Sequence, residues 1–126
     1  MTLVHATPDY QTAEDLIVTA LEGGSNYWYW LPDVTMVPKV VDRPNGDCLS
    51  IRIAKAVWDG ATVPVQDKDD RSPLGSITKD GILAALDRMY ASKYTHCASR
   101  IVAEDYDAED ADAWFQCAVM GKVVYG

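Results

Sequence analysis

Four stretches of the chain repeat apolar residues at helical spacing, each with its own start or stop signal. The first carries Leu16, Ile17, Ala20 and Leu21 on one face. The Thr12 hydroxyl is placed to cap the amide of Asp15, and Gly23 supplies a left-handed stop. The second begins near Ser50, carries Ile51, Ala54, Val57 and Trp58, and stops at Gly60. "ATVPV" then reads as a strand, which Pro64 restricts to an edge or a bulge. In the third, Thr78 is the N-cap, Ile77 staples onto Ile82, and Leu83, Leu86, Met89 and Tyr90 continue the face. Residues 91–106 extend that pattern more weakly, through Ala98, Ile101 and Val102. The fourth runs from Asp107 through Ala111, Trp114, Phe115 and Ala118 to Gly121, with the strand-like "KVVYG" beyond. Prolines and an Asn-Gly pair mark 31–47 as loop around a short extended piece at Val37–Val41, and 66–76 as a polar loop or hairpin tip. Together these signals predict one compact α/β (α+β) domain over residues 1–126, with a small mixed sheet and three to four helices.

The pattern is least ordinary at "EGGSNYWYW", residues 22–30, where four consecutive aromatics follow a double glycine. The glycines follow a helix instead of opening one, which excludes a phosphate-binding loop. Read with a period of two, Tyr27, Tyr29 and Leu31 face one side of a strand, and Trp28 and Trp30 the other. Two readings stand. The strand is central and covered on both faces, or one face lines a ligand pocket in which Trp28 and Trp30 stack on a ring and Asn26 reads a polar edge.

Charge narrows the partners. The net charge is −8, and residues 104–126 hold Glu104, Asp105, Asp107, Glu109, Asp110 and Asp112 against Lys122 alone. Such a field repels phosphate backbones and anionic lipid, so direct nucleic-acid binding is not expected. Asp107 and Asp110 fit the N-cap and first turn of the fourth helix. Glu104, Asp105, Glu109 and Asp112 are left as an acidic face for a basic partner. No apolar run approaches the roughly 18 residues of a membrane span, and the first residues lack the basic and apolar regions of a signal peptide. Cys48, Cys97 and Cys117 are odd in number and widely spaced, which suits a reducing cytoplasm.

Candidate chemistry is thin. The acidic stretches beginning at Asp105 and Asp67 break the alternation of a calcium loop, the first with Asp110 at the glycine position and the second with Arg71 at a ligand position. His96-Cys97 has no second pair at zinc spacing, and His5 is the only other histidine. No serine lies in a nucleophile elbow, and each cysteine reads as a small buried hydrophobe. Neither a metal, a cofactor nor a catalytic residue is predicted.

The ordered pair "ALEGGSNYWYW" and "DADAWFQCAVMGKVVYG" resembles a family of small uncharacterised proteins encoded by phages and prophages. Those proteins combine an EGG-x-x-YW element near the start with a closing G-x-V-V-Y-G. The match covers both ends of the chain but not its middle, and it brings no activity with it. The resemblance implies an accessory protein working in a bacterial host cytoplasm. The function expected is therefore non-enzymatic binding: a counter-defence or host-takeover inhibitor whose acidic face engages a host protein, itself a nucleic-acid-binding one in the strongest version. The alternative is a sponge that sequesters a nucleotide signal with Asn26, Trp28 and Trp30. A nucleotide hydrolase ranks last, and exposed aromatics would permit a homo-oligomer.

Overall fold

The computed structural model describes residues 7–34 and 37–126. His5 lies outside the described residues. The cap of helix α1 (Tyr10–Thr19) lies three residues before Thr12: the Asp9 carboxylate accepts from Thr12 N at 2.9 Å. The helix does not stop at Gly23. It widens into one π turn, Ala20–Gly24, closed by Ser25 N donating to Ala20 O at 2.8 Å. The extra residue releases the carbonyl of Leu21, which the Tyr29 hydroxyl satisfies at 2.6 Å. Gly24 is needed for approach rather than for a left-handed turn, because a Cβ there would stand 2.3 Å from the Ala108 carbonyl oxygen.

Residues 25–28 then form a turn, and β1 is only Tyr29–Trp30. No strand forms over Val37–Val41 among the described residues, and α2 (Leu49–Trp58) follows. It ends at Gly60, whose φ of 109° is the left-handed stop expected of it. β2 (Val63–Asp67) and β3 (Pro73–Ile77) make a hairpin, so 66–76 is its tip together with the strands that flank it. The sheet is antiparallel in the order β1-β2-β3, which corrects the expected mixed sheet. Pro64 lies in the middle strand, but β1 pairs only with Gln66 and Asp67, so one side of β2 is open where the proline has no N–H to offer. A bulge follows directly, between Val65 and Gln66.

Three further helices complete the domain. α3 (Lys79–Tyr90) starts where Thr78 caps Gly81 N at 3.0 Å. Residues 91–94 turn the chain, so α4 (Thr95–Val102) is separate from α3 and the described helices number five α-helices. α5 (Ala108–Met120) begins with the Asp107–Asp110 capping box and ends at Gly121, φ 82°. Every residue from Asp110 to Val119 is buried, so α5 is the spine on which α1, α3, α4, the π turn and β3 pack. The closing "KVVYG" forms no strand. A side chain of α5 takes the place of a neighbouring strand, as described next.

Candidate functional site

Helix α5 buries three polar residues, and two of them, Asp112 and Gln116, are four positions apart, a spacing that puts them on one face. Asp112 is 9% exposed, so it does not belong to the exterior acidic face on which the sequence placed it. Its Oδ1 accepts from Ser25 Oγ at 2.7 Å, Trp28 Nε1 at 2.8 Å and Gln116 Nε2 at 3.1 Å. Its Oδ2 accepts from the Tyr27 hydroxyl at 2.6 Å. The π turn sets Ser25 into this cluster, and the turn after it delivers Tyr27 and Trp28. Burial, then the bond to Asp112, raises the Tyr27 phenol far above its ordinary pKa, so Tyr27 stays a proton donor.

Gln116 links Asp112 to the closing segment. Its Oε1 accepts from Val124 N and Tyr125 N, both at 2.8 Å, and its Nε2 donates to Tyr125 O at 3.1 Å. One amide side chain thus supplies the donor and acceptor that a neighbouring strand would have offered. Tyr125 stacks on Trp28 with ring centres 5.4 Å apart and planes 14° apart, and its hydroxyl donates to Asp67 Oδ2 at 2.7 Å. That bond, with some burial, raises the Tyr125 phenol to about 12.

Between these parts lies an open cleft of about 380 Å³, walled by Tyr27, Tyr94 and Tyr125 and floored by Glu109, Asp112 and Gln116 of α5. Gly24 and Ala113 leave it room. No lysine or arginine among the described residues lines it. Among the described residues three carboxylates are buried: Glu14, Asp110 and Asp112. Glu14 is paired with Arg43, and Asp110 takes two bonds from Arg100, at 2.7 and 2.6 Å. Asp112 has four neutral donors and no cation.

The remaining site residues divide. Glu104, Asp105 and Glu109 are exposed, around the start of α5. Asn26, Trp28 and Trp30 do not form a site together, because residues 25–28 turn and the period of two never starts. Trp28 is 2% exposed, between Phe115 and Tyr125. Trp30 is exposed, with the Arg71 guanidinium 3.6 Å above its ring centre, and Asn26 is exposed in the turn. Ser25, Tyr27, Tyr94, Gln116 and Tyr125 were not singled out from sequence. Gln116 carried a signal, a polar residue four after Asp112 inside an apolar run. The tyrosines carried none.

Cys97 lies 3.4 Å from His96 Nε2 and near Arg100, but burial, then Asp110, pushes its thiol up to about 11. A thiol so protonated is a poor nucleophile at neutral pH. Among the described residues no helix is long and apolar enough to cross a membrane. No protein-family model, curated protein or solved structure matches the chain.

Proposed function

We propose that the protein acts by binding, as a small phage-encoded accessory protein whose acidic surface at the start of α5 occupies a basic region of a host protein. The observation that carries this reading is the exposure of Glu104, Asp105 and Glu109 at and just before the start of α5, where Glu109 and Asp112 also line a cleft with no basic residue among its described lining. Charges of one sign around a concave site attract and orient a partner of the other sign. A host protein whose basic surface serves nucleic acid fits the chemistry, and the proposed outcome is counter-defence or host-takeover inhibition.

The nucleotide-sponge reading lacks comparable support. Trp28 is buried, packed against Phe115 and stacked on Tyr125, and the cleft's carboxylates repel phosphate.

Affinity capture from a bacterial lysate tests the proposal by comparing the native protein with a variant carrying Glu104→Lys, Asp105→Lys and Glu109→Lys. Asp107, Asp110 and Asp112 are spared because they hold the fold. The native protein is expected to retain a basic partner that the variant loses, and equal retention by both overturns the reading.

A further inference from the structure

Hydrogen bonds saturate lone pairs without cancelling charge. Four neutral donors stabilise the Asp112 carboxylate, yet its net charge remains, where Glu14 and Asp110 have an arginine each. The donors are also unevenly shared: Oδ1 receives three and Oδ2 one, which leaves Oδ2 with acceptor capacity. Glu109, three residues earlier on the same face of α5, adds a second carboxylate to the same cleft. The walls are tyrosine rings, whose faces attract cations, and Tyr94 already has the Lys93 ammonium 5.6 Å from its ring centre. Two carboxylates, aromatic walls and no lysine or arginine among the described lining residues suit a cationic ligand.

We infer that the cleft binds a guanidinium group, the side chain of an arginine presented by the basic partner; this rests on the partner-binding reading above. A guanidinium suits the site better than an ammonium because its planar fork can bond two carboxylates while one face lies against a tyrosine ring. The Asp112 carboxylate is held in place by Ser25, Trp28 and Gln116, so it meets the arginine without reorganising.

The test is an NMR titration of the isotope-labelled protein with N-acetyl-arginine methylamide, and in parallel with its citrulline analogue, which has the same shape and no charge. At low ionic strength arginine is expected to shift the Trp28 indole N–H and the Ser25 and Tyr125 amides, saturating in the millimolar range, with citrulline at least roughly tenfold weaker. Glu109→Gln is expected to weaken arginine binding by roughly three- to tenfold while leaving the Trp28 indole resonance of the free protein in place. Equal response to both probes, or no response at these three reporters, overturns the inference. Loss of partner capture in a Glu104→Lys, Asp105→Lys variant keeps the partner reading alive even when the cleft fails to bind arginine. If that variant still captures the partner, the partner reading falls instead, whatever the titration gives.

Discussion

At Asp112, an amide of the same shape can keep its oxygen for the Ser25, Trp28 and Gln116 donors, but it gives up the charge that strengthens those bonds and turns an NH2 toward the Tyr27 hydroxyl, which must rotate to accept. Asp112→Asn is therefore expected to cost about 1–3 kcal/mol in urea unfolding. The two buried tryptophans make a sharper comparison. Trp28 Nε1 has Asp112 as its acceptor, whereas Trp114 Nε1 is buried with no partner in the structure. Replacing either with Phe removes similar ring volume. Trp28→Phe also removes a bond to a charge, while Trp114→Phe removes an unpaired donor. Unfolding measurements are expected to rank Trp28→Phe as the more damaging by about 1–2 kcal/mol, and the reverse order contradicts the assignment. Sequence could not separate these two residues, since each is a tryptophan at an apolar position and only the partner of the N–H distinguishes them.

At the scale of elements, α4 and α5 are joined through Arg100 and Asp110. Burial pushes the Asp110 carboxyl up, but bonds from Arg100, with Cys97 and the Asp107 amide, outweigh it and hold the group down at about 2. A carboxyl depressed from 3.8 in the folded state contributes stability that is present in full above 3.8 and lost as pH falls through about 2. Arg100→Met leaves the burial without the cation, so acid unfolding followed by circular dichroism is expected to begin at higher pH than in the native protein. The closing segment is held differently, by the side chain of Gln116. Gln116→Ala is expected to leave the helices intact while the Val124 and Tyr125 amides lose protection from hydrogen exchange. Retained protection contradicts this account of the segment. Both links show what the sequence carried. The helix-starting signals at Thr78 and Asp107 and the glycine stops at Gly60 and Gly121 are local, and they were legible. The π turn at Ala20–Gly24 was not, because it depends on Gly24 meeting Ala108, far along the chain. For the same reason "KVVYG" read as a strand, when its partner is one side chain of a helix.

For the whole molecule, the acidic run over residues 104–112 resolves into two roles. Asp110 and Asp112 face inward as ion-pair partner and cleft floor and Asp107 caps α5 from the surface, while Glu104, Asp105 and Glu109 stay exposed with no part in capping the helix. The sequence identified Asp107 and Asp110 as structural because capping follows from spacing, and it misplaced Asp112 because three of its four donors come from residues more than eighty positions away. The proposed partner face combines the exposed acids with the cleft, with Gly24–Tyr27 on one side, the start of α5 beneath and the Gln116-held segment opposite. Hydrogen–deuterium exchange of the protein alone and in complex with its captured host partner tests this assignment most directly. Protection confined to residues 24–28, 104–113 and 122–126 is the result predicted; protection elsewhere, with these segments unchanged, contradicts it.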